Sequence, residues 1–330
     1  MSDMKPLVAI YCLVYNHEPY LRDCFEGFVM QQTNFSFVAI VHDDASTDGS
    51  AAIIREYEEK YPYIFKPIYQ KENLYKKGGF EAINDVMFSA IYSTDAKYIA
   101  FCEGDDYWTD PLKLQKQVDF MEDNPNYVLC CHRYKVFSQN DGTWIDDYLG
   151  NIFESSPSGF AFSNKENLSI WVTKTVTLLL RRTAMTKLPS QRKFRYWRDA
   201  HMNYYLLKKG SGYCFPCVGA VARQHDGGVF SSIGSSNQRR INLKVWSELV
   251  KHNREDDVLL SFYHDQHASY RDYVRSKICN MNKHELLLDI STLLYLDYHY
   301  RGLKEIIFSC RKMLLSFWYF IKNMIKRVKE

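Results

Sequence analysis

Tyr98-Ile-Ala-Phe-Cys-Glu-Gly-Asp-Asp-Tyr-Trp-Thr-Asp-Pro111 decides how this chain folds. Its first five residues form the short apolar run that a fully buried strand needs. The run then breaks into three carboxylates within four positions, Glu103, Asp105 and Asp106. In an open α/β fold, ligands bind at the carboxyl edge of the parallel strands, which is where such a segment would deliver its acids. Crowded carboxylates raise one another's pKa, and a divalent cation relieves the repulsion. Hard oxygen donors suit Mg²⁺ or Mn²⁺, which take their other ligands from substrate phosphates and water. Taken alone, the same residues also read as an acidic turn that caps the next helix through Asp110-Pro111.

Working outward, apolar β-rich runs alternate with helical patterns. Strands are predicted at Leu7–Val14, Phe37–Val41 and Phe65–Tyr69. The helices between and after them fall at about Tyr20–Met30, at Ala51–Lys60 with Ser50 as N-cap, and at Phe80–Ile91. Beyond the acidic segment come a helix at Lys113–Glu122 and a strand at Tyr127–Tyr134. Such alternation predicts an α/β fold, a mainly parallel Rossmann-like sheet with helices on both faces. Its strand ends would be Tyr15–Glu18, Asp43–Asp48 and Glu103–Asp110. Residues 139–170 are polar and read as a crossover or loop. Val172–Leu180 and Cys214–Val221 read as strands, Asp199–Lys208 as a helix, and the glycine- and serine-rich stretch from Asp226 as turns that order over a ligand. From Gln238 onward only helices are expected, at Asn242–Asn253, Val258–Lys277, His284–Tyr300 and Leu303–Val328. The expected domains are therefore 1–235, the α/β unit, and 236–330, a helical extension.

The 330 residues carry 42 Lys and Arg against 39 Asp and Glu, a net charge of +3 that predicts no nucleic-acid partner. Nine scattered cysteines, most in apolar runs, read as reduced thiols, and Cys214-Phe-Pro-Cys217 has no second pair at zinc spacing. The first residues lack a secretory leader pattern and no apolar run is long enough to span a bilayer, so a cytoplasmic protein is expected. Zinc-protease, hydrolase-elbow, P-loop and Gly-x-Gly-x-x-Gly signatures are all missing.

Three segments on successive strand ends carry a resemblance. Val14-Tyr15-Asn16, His42-Asp-Asp-Ala-Ser-Thr-Asp48 and Glu103-Gly-Asp-Asp-Tyr-Trp108, in that order, resemble the family 2 glycosyltransferases of the GT-A fold, over residues 5 to about 230. The resemblance implies that Val14 and Tyr15 line a base pocket and that Asp44 bonds the base or ribose. It puts Glu103-Gly104-Asp105 at the family's Asp-x-Asp position, with Asp105 the primary metal ligand and Asp106 beside it. Glu103 departs from the usual aspartate and is one methylene longer, which lets it reach the ribose or a metal-bound water. Asp199, in Arg195-Tyr-Trp-Arg-Asp-Ala-His201, matches the position of the base that deprotonates an acceptor hydroxyl. Read without the family, it is a carboxylate on a helix N-terminus. His225 looks like the late histidine that reaches back to the metal, the alternative being a surface-loop histidine.

The implied activity is inverting, metal-dependent transfer of a sugar from a nucleotide-diphosphate donor, UDP preferred, to a glycan or lipid-linked acceptor in surface-polysaccharide synthesis. The cofactor would be Mn²⁺ or Mg²⁺. A nucleotidyltransferase is the rival, but Tyr15-Asn-His-Glu18 lacks the glycine-rich basic loop that would hold a triphosphate. A non-catalytic nucleotide-sugar-binding homologue is the other alternative. Residues 311–330 hold six Lys or Arg around the uncharged patch Met313–Ile321. That pattern reads either as peripheral contact with the inner face of the plasma membrane or as a helix docked on its own domain or, in a homodimer, on a second subunit.

Overall fold

In a computed structural model, which describes residues 5–186, 188–228, 233–277 and 283–301, the N-terminal apolar run becomes β1 (Val8–Val14), buried at every position but Leu13. Successive side chains point to opposite faces. Val8, Ile10, Cys12 and Val14 join a core with Phe25, Phe28, Ile54 and Val118, while Ala9 and Tyr11 join a second core with Ile91, Leu129, Leu180 and Leu206. A central strand covered on both faces must be apolar throughout, and this one is.

The order continues α1 (Leu21–Val29), β2 (Phe37–Asp43), α2 (Ser50–Lys60), β3 (Phe65–Tyr69), α3 (Leu74–Ser93), β4 (Tyr98–Phe101), β5 (Tyr107–Trp108), α4 (Lys113–Asp123) and β6 (Tyr127–Ser138). Then come β7 (Trp144–Asp146), α5 (Gly150–Ser155), β8 (Phe160–Phe162), α6 (Asn164–Ile170), β9 (Leu179–Arg181), α7 (Arg182–Met185), α8 (Asp199–Leu207) and β10 (Ser211–Gln224). The sheet runs β3-β2-β1-β4-β9-β6-β10-β5, with β7 paired to β6 and β8 to β10. Its six longest strands, β1 to β4, β6 and β10, share one direction, and the short β5, β7, β8 and β9 oppose them. In register, Val14 faces Asp43 and Asp43 faces Tyr69. The loops that carry the candidate residues therefore leave the sheet along one edge.

Several local expectations are corrected. Residues 139–170 are not a bare loop but hold β7, α5, β8 and α6. Helix α6 starts with a capping box in which Ser163 and Glu166 satisfy each other's backbone amides. Of the run Val172–Leu180 only the last two residues pair as a strand, in β9 (Leu179–Arg181). Thr175–Thr177 coils into a 3₁₀ turn, where the Thr177 hydroxyl donates to the Lys174 carbonyl at 2.7 Å and competes with a ladder. Helix α3 begins at Leu74, capped by Asn73, and is kinked at Gly79, whose φ of 61° hides the first turn from a periodicity reading. Ser50 is the first helical residue of α2 and not its cap: Asp48 accepts its amide at 3.0 Å, and its hydroxyl accepts the His17 amide at 2.9 Å.

The chain divides into two compact units, Met1–Ser232 and Ile233–Glu330. The second contains α9 (Ser235–His252), α10 (Asp257–Lys277) and α11 (Lys283–Arg301), with Arg240 and Tyr270 both bonded to the buried Asp289. The helix expected over Leu303–Val328, with its membrane or subunit contact, lies outside the described residues. No helix among the described residues is long and apolar enough to cross a membrane.

Candidate active site

Two strand-end loops are laced together before any ligand is considered. The Asn16 amide donates to Ser46 Oγ at 2.9 Å, and Asn16 Oδ1 accepts the Thr47 amide at 2.7 Å. The Glu18 amide donates to Asp48 at 3.0 Å, and the Gly49 amide to Glu18 at 2.7 Å. Asn16 and Ala45 sit at positive φ, 56° and 58°, to make these turns. The polar residues from Asp43 to Ser50 thus hold the rim of the cleft in shape.

That lacing corrects part of the nucleotide expectation. Asp44 is 1% exposed, and its two carboxylate oxygens accept the amides of Leu74 and Tyr75 at 2.6 and 3.1 Å, fixing the start of α3. Its visible task is to cap α3, because a carboxylate satisfies the free amides of a helix N-terminus. Val14 is fully buried in the core, so its side chain does not line a base pocket. Tyr15 stays at the surface, half-buried, with the Lys76 ammonium 5.6 Å over its ring. Gly104 is packed inward. A Cβ there would lie 2.8 Å from His17 Nδ1 and 3.0 Å from both Val14 and Leu21, and its amide donates to the Leu13 carbonyl. Gly104→Ala is therefore expected to destabilise the chain by about 1–3 kcal/mol, read as a lower urea midpoint at unchanged slope.

Beyond Gly104 the carboxylates converge. Glu103, Asp105 and Asp106 each offer an oxygen, all within 4.8 Å of one another. His225, at the end of β10, places Nε2 3.0 Å from Asp105 Oδ2, while Asp105 Oδ1 is buried with no hydrogen-bond partner. Burial works against the charge on Asp105, but the His225 hydrogen bond and the fields of His17 and His225 outweigh it and hold the carboxyl below its ordinary value. Burial, reinforced by Asp105, pushes Asp106 up to about 7. The protein crowded around Glu103, together with Asp105 and Asp106, pushes it up to about 8, although solvent reaches Glu103 and screens part of that push. Three crowded acids, one with an orphaned oxygen, plus an imidazole make a donor set that fits a divalent cation.

Asp199 opens α8. Trp197, Ala200, His201 and Met202 around it are buried, and the exposed Asp199 is left facing solvent at the helix N-terminus. One carboxylate oxygen accepts the Ala200 amide at 2.9 Å. Its charge reaches both Glu103 and Lys174, which puts it in the same electrostatic neighbourhood as the acidic cluster.

Three basic residues of this site were given no role by the sequence. Arg223 stacks on Tyr107 at 4.6 Å and Tyr20 at 5.3 Å, pairs with Asp23, and donates to the Asp105 carbonyl at 3.2 Å; its amide donates to Asp106 at 2.8 Å. Strand β10 thereby grips the acidic loop. Burial works against the ammonium of Lys174, and the fields of Asp106, Tyr134, Glu103 and Asp199 outweigh it, holding it above the usual lysine range. The signal was a lone lysine inside the apolar run Val172–Leu180, since a charge there has to be compensated. His17 is a third: burial lowers its pKa against the pull of Asp105.

Comparison with known proteins bears on the family and the fold. The family model for Glycosyl transferase family 2 matches residues 10–188, a span that includes the acidic cluster and stops short of Asp199 and His225. Uncharacterized protein Rv1520 of Mycobacterium tuberculosis is 41% identical over 133 residues, 40% of this chain and 36% of that protein. The chain thus spans about a third of the length of the first curated relatives it matches. TuaG of Bacillus subtilis, named as a glycosyltransferase of teichuronic acid biosynthesis, is 27% identical over 246 residues, 74% of this chain and 88% of TuaG. Among solved structures, S. aureus TarS 1–349 in complex with UDP-GlcNAc superposes with a TM-score of 0.63 at 16% identity, over 91% of this chain and 82% of that one. Mannosyltransferase PcManGT from Pyrobaculum calidifontis, in complex with GDP-Man and Mn²⁺, gives 0.53 at 13% identity, over 96% and 88%. At such identities the likeness is one of fold.

Proposed function

The chain belongs to glycosyl transferase family 2, with the GT-A type of fold, and from that premise we propose that it moves a sugar, with inversion, from a nucleotide-diphosphate donor to an acceptor hydroxyl. A UDP-sugar is the favoured donor, by analogy with the UDP-GlcNAc complex of TarS, and a glycan or lipid-linked acceptor in surface-polysaccharide synthesis is favoured by the likeness to TuaG. A cytoplasmic place of action is part of the same proposal. The observation that carries the proposal is the meeting of Glu103, Asp105 and Asp106 at the carboxyl edge of the sheet, with His225 on Asp105 and the charge of Asp199 within reach.

Asp105, Asp106, Glu103 and His225 would hold Mn²⁺ or Mg²⁺. Bound there, the cation supplies positive charge for the departing nucleoside diphosphate. The protein's own residues do the rest. Tyr15, half-buried just past the end of β1, offers a ring face to the base. Asp44 and Asn73 fix the start of α3 beside it. Asp199 takes the proton of the acceptor hydroxyl as that oxygen attacks the anomeric carbon. Lys174 adds a fixed positive charge on the same side.

Thermal melts with a panel of nucleotide sugars, each with and without Mn²⁺, test the reading. A matching donor at about 100 times its Kd stabilises the native state by about 2.7 kcal/mol, and the shift is expected only with the cation present. Release of nucleoside diphosphate supports sugar transfer, and release of pyrophosphate would point instead to nucleotidyl transfer.

A further inference from the structure

Beside the acidic cluster lies a groove of about 490 Å³ lined by Tyr107, Thr109, Lys135, Trp144, Val218 and Val221. Sheet register explains its composition. Val221 of β10 faces both Tyr107 of β5 and Lys135 of β6, and Trp144 of β7 faces Phe137 of β6. Lys135 and Phe137 are two residues apart and so share a face. One side of the sheet edge therefore presents two aromatic side chains, Tyr107 on β5 and Trp144 on β7, with Lys135 of β6 between their strands, 3.6 Å from Asp146, and Thr109 beyond Tyr107. Trp144 is 54% exposed and braced by Phe137, its ring centroid 4.7 Å away. A tryptophan left this open, in a groove shared with exposed Val218, marks a surface that binds something.

We propose that this groove holds a pyranose ring of the acceptor glycan, stacked on the open face of Trp144 with its hydroxyls turned toward Lys135 and the end of the groove formed by Tyr107 and Thr109. The inference rests on the glycosyltransferase reading and deepens it by giving the acceptor a place. Two observations choose a sugar over other occupants. The C–H faces of a pyranose carry partial positive charge and match aromatic faces, while its hydroxyls need polar groups. The groove is also continuous with the site: Tyr107 directly follows Asp106, and its ring carries the Arg223 guanidinium that bonds the Asp105 carbonyl. The hairpin that bears Trp144 is tied to the His225 loop by Asn140 to Asp226 at 2.7 Å and by Gln139 to Gln224 at 2.8 Å. An acceptor chain lying in the groove would run toward the donor sugar.

The test is binding of full-length protein, without donor, to a panel of neutral, uronic-acid and phosphate-bearing oligosaccharides, followed by titration of the best binder. Wild type is expected to bind at least one member with a Kd at or below about 1 mM, and Trp144→Ala to weaken it about tenfold. Trp144→Tyr, which keeps a ring, should restore most of the affinity, and Val218→Glu, which puts a carboxylate into the groove, should lose it. Equal binding by Trp144→Ala, or no binding by any member of the panel, overturns the proposal. So does a shift of Trp144→Ala from dimer to monomer in sedimentation, which would assign the surface to a second copy of the chain. Donor hydrolysis by wild type with Mn²⁺ is measured separately. Its absence would remove the glycosyltransferase reading and leave the glycan measurement standing.

Discussion

Asp105→Ala is expected to abolish sugar transfer, with kcat lower by at least about 10³-fold, and to remove the Mn²⁺-dependent part of donor binding. Asp105 is the centre of the cluster: one oxygen meets His225 at 3.0 Å and the other is buried with no partner. It is also the member whose charge the protein holds in place, whereas its neighbours are pushed toward the neutral form. Removing it leaves Glu103 and Asp106 without their shared neighbour and takes away the His225 contact to that carboxylate. Two readouts separate the site from the fold. Urea unfolding should show a stable chain, and isothermal titration with Mn²⁺ and donor should show no cation-dependent heat. Donor binding that still depends on Mn²⁺ in this variant would end the metal assignment.

Asp199→Asn should show the complementary loss. The amide keeps the shape and can still accept the Ala200 amide that the carboxylate accepts at 2.9 Å, so α8 should start where it does now. An amide cannot take a proton at neutral pH, and loss of a general base costs about 10²- to 10⁴-fold in kcat. Donor affinity should stay within about twofold, since ground-state binding does not use that proton. Full turnover by this variant would sink the base assignment, and loss of donor binding together with turnover would make Asp199 part of the donor site instead.

The two variants divide the site along a physical line. Asp105 stands in a crowd of like charges that a cation can relieve. Asp199 is exposed on a helix N-terminus, its charge felt by Lys174 and Glu103. The acidic loop and the His225 end of β10 meet at one sheet edge because β4 and β10 run in the same direction, and Arg223 donates to the Asp105 carbonyl where the loop passes β10.

Much of the architecture could be read from the sequence because its causes are local. Apolar runs such as Leu7–Val14 and Tyr98–Cys102 have to be buried on both faces, which makes them central strands, and the alternating helices must then cover those faces. The acidic segment after Tyr98–Cys102 had to fall on the carboxyl edge for the same reason. What resisted reading was short or depended on a partner far along the chain. Trp144–Asp146 and Phe160–Phe162 are three residues each and are strands only because β6 and β10 accept them. Leu179–Arg181 pairs antiparallel between β4 and β6, a placement no spacing announces.

By itself the sequence determined the class of fold and the order of its main strands and helices, since alternating burial and strand ends are properties of neighbouring residues. Tertiary structure alone decided how each polar side chain is used. Asp44 became the cap of α3 because Leu74 and Tyr75, thirty residues on, bring their unpaired amides to it. Val14 turned inward into the core, and Gly104 is closed in by His17, Leu21 and Val14. Arg223, Lys174 and the Trp144 groove took on their places through contacts spanning tens to more than a hundred residues. Charge, burial and hydrogen-bond satisfaction depend on everything within a few ångströms, and sequence neighbours supply only part of that surrounding.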